Sequence, residues 1–350
     1  MKSSLKAVVG IAATVFFLWI ALRDVVWADV VEHVRTANWW LLGAATLVST
    51  LGMHIRALRW KPLLHPVAPD IAFRPRIAAT SIGFAANNVF PARLGEFARA
   101  WVLARQARIP VTGAFASLVV ERALDGIVLV VFLLGSMALP GFPDLAPGSE
   151  VQKGVDWMVR IVAVLLAGAL VLVFFPTRTV ALAERIAGAV LPAAIRRPLV
   201  DALHAFIAGL HVLRSPRLLA ISVLWCVAQW AFLAMSFVLG FHAFGITEPG
   251  YLGAVFLQSL IAMAVAIPAA PGFFGVFEAA SVLGLGLWGV SNARAVSFAM
   301  GFHIAGWLAL TGLGAFYAAR LGIRVRDLTR SEETVETAVE KDFGPDAHPA

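Results

Sequence analysis

The stretch LLAISVLWCVAQWAFLAMSFVLGF, residues 218–241, runs without a single charged side chain. About 20 apolar residues at ~1.5 Å of rise each cross the hydrocarbon core of a bilayer. Residues 5–22, 39–55 and 161–175 are blocks of the same kind and carry almost no charge. The whole chain has 350 residues, of which 60% are hydrophobic and 14% charged. Soluble domains average about 25% charged, and apolar blocks this frequent are too many for a soluble core. The fold class expected is all-α: a polytopic integral membrane helix bundle.

Working outward, segments 5–22, 39–58, 111–139, 157–176, 217–243 and 293–319 are long enough to cross, which gives about six full spans. Two more apolar stretches are interrupted. Residues 77–104 break at Pro91 and Gly95, and residues 251–289 break at Pro268, Pro271, Gly272 and Gly275. Pro and Gly end helices, so each stretch reads as a broken, re-entrant pair of short helices. Trp39, Trp40, Trp157 and Trp288 fall near span ends, where indole rings anchor at the interface.

The formal net charge is +7. The bases sit between hydrophobic blocks, so they report topology, and no nucleic-acid partner is expected. Region 56–108 holds nine Arg or Lys residues, and Arg178, Arg185, Arg196, Arg197, Arg214 and Arg217 follow in the next basic region. Region 140–156 has Lys153 against Asp144, Glu150 and Asp156. The positive-inside rule puts the basic regions and both termini in the cytoplasm of a bacterial cytoplasmic membrane, and six crossings agree. Lys2, Lys6 and Val26-Trp27-Ala28 have the outline of a signal peptide. The length of the run and the spans that follow favour an uncleaved first helix. Residues 177–214 read as a cytoplasmic amphipathic connector, and 323–350 as a disordered cytoplasmic tail, leaving 1–322 as the transmembrane domain. The lone Cys226 allows no disulfide within one chain, and no Cys/His spacing suggests a metal. No cofactor is expected.

The two interrupted stretches resemble one another: Asn87-Asn88-Val89-Phe90-Pro91-Ala92-Arg93-Leu94-Gly95-Glu96, and Ile267-Pro268-Ala269-Ala270-Pro271-Gly272-Phe273-Phe274-Gly275-Val276-Phe277-Glu278. Their flanking spans run in opposite senses. Repeat one is about 39–139 and repeat two about 217–319. This is the pattern of an inverted-topology repeat, used to alternate access around a site near the midplane.

Non-helical backbone at membrane depth must line a cavity or be buried in protein. The amides freed at Gly95, Gly272 and Gly275 and the helix dipoles favour an anion, and a lipid phosphate is the natural one. Arg93 and Arg99 stand beside the first break as phosphate partners. The structural alternative is a helix cap plus topogenic arginines. Asn87 and Asn88 end the first half-helix and are candidates to bond a headgroup. Glu121, Arg122 and Asp125 lie inside span 111–139, where each charge costs at least ~2.5 kcal/mol. Arg122 can pair with Asp125, and Arg93 or Arg99 with Glu121. Such a network is either a gating ion network or a structural pair at the interface. Glu96 and Glu278 open the second half-helices, where capping is the simpler role. Gln258, His303, Arg56 and Arg59 read as structural. There is no P-loop, dinucleotide fingerprint, zinc-protease motif or nucleophile elbow, so the chain is expected not to be an enzyme.

Arg56-Ala57-Leu58-Arg59-Trp60, Pro91 to Glu96, Glu121-Arg122-Ala123-Leu124-Asp125 and Pro271 to Glu278, in this order, resemble the lysylphosphatidylglycerol synthase transmembrane-region family, also called flippase-like. The resemblance covers about 5–322. It implies translocation of an anionic phospholipid or lipid-linked sugar, the headgroup held at the two breaks. It leaves the lipid unnamed. The sequence holds no aminoacyl-transferase domain, so lysine transfer to lipid is not expected. Two other readings stay open. One is a membrane enzyme acting on a headgroup through Glu121, Asp125 and Glu96. The other is a scaffold for a separate lipid-modifying enzyme.

Overall fold

The computed structural model describes residues 14–23, 25–90, 93–144, 215–265 and 271–343, with isolated positions at 12 and between 157 and 185. The expected span 157–176 and connector 177–214 lie outside the described residues. The expected span 5–22 is described from residue 14, and 14–22 are helical.

Every described element is a helix: α1 (Trp27–Thr36), α2 (Trp39–Leu64), α3 (Phe73–Val89), α4 (Gly95–Ala107), α5 (Val111–Ala138), α6 (Pro216–Ala243), α7 (Gly250–Ala264), α8 (Val276–Gly286), α9 (Asn292–Arg320), α10 (Val325–Thr329) and α11 (Ser331–Phe343). The molecule is an all-α polytopic bundle. Among the described residues, α2, α6 and α9 are long and apolar enough to cross a membrane by composition alone. Helix α5 matches them in length, at 28 residues, but carries Glu121, Arg122 and Asp125 in its middle.

Local chemistry sets the ends. The Asn38 side chain accepts from the amides of Trp40 and Leu41 to start α2. Ser215 and Ser291 cap α6 and α9, with Pro216 at the first turn of α6. Helix α3 stops at Val89 because Phe90, which precedes a proline, is extended.

Helices α2–α5 have 26, 17, 13 and 28 residues, and α6–α9 have 28, 15, 11 and 29. Contacts between the two sets come in reciprocal pairs. Helix α3 packs on α9 and α7 on α5, while α2 touches α9 and α6 touches α5. The first helices of the two sets, α2 and α6, pack antiparallel along their length: Asn38 meets Ala243, Gly52 meets Leu233, and Arg59 meets Cys226. The two four-helix sets therefore face each other, with their first helices antiparallel.

The tail departs from expectation. Residues 325–343 are helical and docked, not disordered. Leu328, Val335 and Val339 are buried in the cluster that also holds Leu103, Leu118 and Val120, and α11 packs on α4 and α5. Acidic composition hid an apolar stripe at helical spacing.

Candidate functional site

Eight side chains from four helices converge inside the bundle. Glu121 accepts two bonds from Arg99, at 2.8 and 2.9 Å. Asp125 accepts two from Arg59, one of them at 3.0 Å. Arg56 bridges the carboxylates, 3.3 Å from Glu121 and 3.4 Å from Asp125, and Arg59 also reaches Glu121 at 2.9 Å. The Trp230 indole donates to Asp125 at 2.8 Å and the Cys226 thiol at 3.3 Å. The Arg99 guanidinium lies 4.0 Å over the Trp60 ring. Arg56, Arg59, Arg99, Glu121 and Asp125 are all buried.

Helical geometry explains this convergence. Glu121 and Asp125 are one turn apart on α5 and face the same way. Arg56 and Arg59, three apart on α2, share the opposing face. Paired forks satisfy the carboxylates geometrically as well as electrostatically. Arg122 is the loose member, a third exposed, with contacts of 3.3 Å to Glu121, 3.6 Å to Glu96 and 3.9 Å to Asp125. Four arginines thus face two carboxylates, and Glu96 offsets one of the two positive charges left over.

The surplus opens into a cavity of about 580 Å³. Its lining includes Arg56, Arg122, Asp125 and Trp230 from the cluster, Asn87, Arg93 and Glu96 from around the first break, and Met263, Val265 and Phe273 from around the second. Pockets for small molecules span roughly 300–1,000 Å³. The two breaks meet here: Arg93 donates to the Val265 carbonyl at 3.4 Å. Counted from Pro91 and Pro271, Arg93 and Phe273 hold the same place in the two motifs. Both are left-handed, with φ of 56° and 62°. Non-glycine residues rarely hold such φ values.

The glycines have separate tasks. A Cβ at Gly95 would lie 1.9 Å from the Gly83 carbonyl, so α4 folds back against α3 at backbone contact. The Gly95 amide donates to the Asn87 side chain at 2.8 Å. Gly272 and Gly275 are left-handed turn residues, with φ of 71° and 87°. Asn88 donates to Thr311 at 2.9 Å and the Trp307 indole donates to the Asn88 carbonyl at 3.2 Å, tying the first break to α9.

Of the residues singled out in the sequence, Asn87, Arg93, Glu96, Arg122 and Asp125 line the cavity. Glu121 and Arg99 stand behind it as a buried pair. Asn88, Gly272 and Glu278 lie on the α9 side, and Glu278 accepts from the Gly275 amide as a cap. Arg93 pairs with Glu96 at 3.9 Å instead of with Glu121. The main partner of Asp125 is Arg59, not Arg122. Arg56 and Arg59, expected to be structural, are buried ion-pair partners of both carboxylates. Their three-residue spacing puts them on one helical face, as Glu121 and Asp125 are on theirs, but does not say that the two faces meet. Among the described residues, no group of three His, Cys, Asp or Glu side chains is placed to hold a metal.

A membrane helix bundle with an arginine-lined cavity between its two four-helix sets defines the class. The chain belongs to the family described as the lysylphosphatidylglycerol synthase TM region, which it matches over residues 7–314. It is also similar to "Glycosyltransferase AglD" of Haloferax volcanii, at 27% identity over 357 residues covering 94% of this chain and 56% of that protein. The chain thus spans little more than half the length of that relative. No solved structure matches. Family and relative together give the chain a membrane-lipid-related function. They also correct one expectation: the relative is named as an enzyme, so missing soluble motifs do not make this chain a non-enzyme.

Proposed function

We propose that the protein translocates an anionic phospholipid or a lipid-linked sugar between leaflets, with the headgroup seated in the cavity between the two breaks. One observation carries this reading: Arg56, Arg93 and Arg122 line a cavity bounded by helices of both four-helix sets. A phosphate there would take charge-assisted bonds from these arginines. The acyl chains would extend past apolar lining residues such as Ile127, Leu129 and Val130. Rocking one half on the other would change which face the cavity opens to. The distribution of arginine supports a bacterial cytoplasmic membrane location with both termini inside.

The relative's name favours a second reading, chemistry on a lipid or lipid-linked headgroup in the same cavity. One experiment separates them. Purified protein is reconstituted in vesicles with a fluorescent phosphatidylglycerol, and both movement across leaflets and the mass of the lipid are followed. Translocation predicts faster movement at unchanged mass and at least a tenfold loss with Arg93→Ala. A mass change points to the enzyme reading. Arg93→Ala moving lipid as fast as wild type refutes the assigned seat.

A further inference from the structure

The arginines around Glu96, Glu121 and Asp125 fall into two groups. Arg99 forks Glu121 at 2.8 and 2.9 Å, and Arg59 forks Asp125 with one arm at 3.0 Å. Both stand behind the cavity. Arg56, Arg93 and Arg122 line it, and all three are held loosely. The polar contacts of Arg56 are 3.3 and 3.4 Å, those of Arg122 are 3.3, 3.6 and 3.9 Å, and those of Arg93 are 3.4 and 3.9 Å. Full-strength bonds between guanidinium and carboxylate run at about 2.7–2.9 Å, so these three forks are unsaturated. Among the described residues, neither Nε of Arg56 nor Nε of Arg122 has a hydrogen-bond partner.

Shared oxygens place the three side by side. Oε1 of Glu121 is 3.3 Å from Arg56 and 3.3 Å from Arg122. Oε1 of Glu96 is 3.6 Å from Arg122 and 3.9 Å from Arg93. One anion can therefore touch two of these guanidinium groups at once. Arginine keeps its charge in any protein setting. Arg99 and Arg59 offset Glu121 and Asp125 one for one, which leaves Arg56, Arg93 and Arg122 facing Glu96. The cavity thus carries a surplus of two positive charges, and neutralising Glu96 would only enlarge it.

No other described helix cancels the surplus. Helix α7 has no charged residue, and α6 has Arg217 and His242 only near its ends. On α3, Arg76 donates to the Leu58 carbonyl at 3.2 Å and Arg74 opens the helix. Helix 14–22, which packs on Gly275, has no charged residue, and Arg23 beyond it lies over Trp19. Glu278 and His303 are 2.7 Å from one another on the α9 side and do not line the cavity.

We propose that the cavity is a seat for a lipid whose phosphate carries two negative charges, a phosphomonoester or a diphosphate, in preference to a singly charged phosphodiester. This rests on the proposed transport role and narrows the cargo. A phosphodiester such as phosphatidylglycerol brings one charge and leaves one arginine uncompensated. A phosphomonoester brings about 1.5 to 2 near pH 7, and a diphosphate diester brings one on each phosphate. Two charges match the surplus, and their oxygens match three open forks.

Native mass spectrometry of the full chain in detergent reads the preference. The sample holds equal amounts of phosphatidate and phosphatidylglycerol with the same acyl chains, and of a polyprenyl diphosphate. It is kept at about pH 8, above the second phosphate ionisation near ~6. One further charge-assisted bond is a factor of about ten or more in binding, so at least one doubly charged lipid should exceed phosphatidylglycerol by that factor. Phosphatidate in the lead marks a glycerolipid source, and the polyprenyl diphosphate an isoprenoid one. Arg122→Gln cuts the surplus to one and should erase most of the preference. Glu96→Gln raises it to three and should widen the preference, an opposite shift that misfolding cannot produce. Phosphatidylglycerol bound as well as both doubly charged lipids, or a preference that Arg122→Gln leaves intact, overturns the proposal. The vesicle assay fails separately. A protein that shows the binding preference but moves no lipid loses the transport reading and keeps the doubly charged seat.

Discussion

Replacing Asp125 with Asn removes one charge and almost no volume, and it should destabilise the protein more than any exposed substitution. Asp125 takes two bonds from Arg59, one from Trp230 at 2.8 Å and one from Arg56 at 3.4 Å. Hydrogen bonds to charged groups contribute roughly 1.5–3 kcal/mol each. The asparagine amide keeps one acceptor oxygen but turns an NH2 group toward two guanidinium groups. Arg59 is 1% exposed and does not line the cavity, so it cannot turn to water. Removing one partner of a buried pair costs about 3–5 kcal/mol. At about 2–4 °C per kcal/mol, Tm in detergent should fall by about 10 °C. Arg122→Ala is the contrast. Arg122 is 32% exposed and its contacts are 3.3 Å or longer, so about 1 kcal/mol or less is expected. The measurement is intrinsic-fluorescence thermal unfolding of both variants. If Asp125→Asn unfolds within about 1 °C of wild type, or Arg122→Ala is the worse of the two, the cluster does not hold these helices together as described.

Other outcomes follow from packing. Gly95→Ala places a methyl 1.9 Å from the Gly83 carbonyl and 2.5 Å from the Asn87 side-chain oxygen. Overpacking costs about 1–3 kcal/mol or more, and yield and Tm should both drop, whereas Gly43→Ala, with open space around it, should be tolerated. Val335→Asp puts a charge where the side chain is fully buried against the bundle. It should release α10 and α11 while leaving the transmembrane helices folded, read as rapid proteolysis after about residue 322 without loss of the main unfolding transition.

Much of the fold was legible because lipid makes strict demands. Long uncharged runs such as 218–241 are helices in any bilayer, and Pro and Gly at 91–95 and 271–275 break them. Each of those signals is local. The pairing of Asp125 with Arg59 was not legible. It depends on α2 and α5 lying side by side, which no spacing within either helix encodes. His303 was read as structural because one histidine in an apolar block gives no hint of its partner twenty-five residues away. The tail's helix is masked by composition: Val335 and Val339, one turn apart, form the buried stripe, and Glu332, Glu333, Glu336 and Glu340 around them give the segment the acidity of a disordered tail.

The central claim is that the two helix breaks meet around a seat for an anionic headgroup. A photoreactive phenylalanine analogue at Met263, which lines the cavity, tests it in native membranes. Illumination followed by mass spectrometry should find an anionic lipid or lipid-linked sugar attached at this position, and Arg93→Ala should reduce the adduct at least tenfold. An adduct made only with zwitterionic lipid, or one unchanged by Arg93→Ala, would contradict the account.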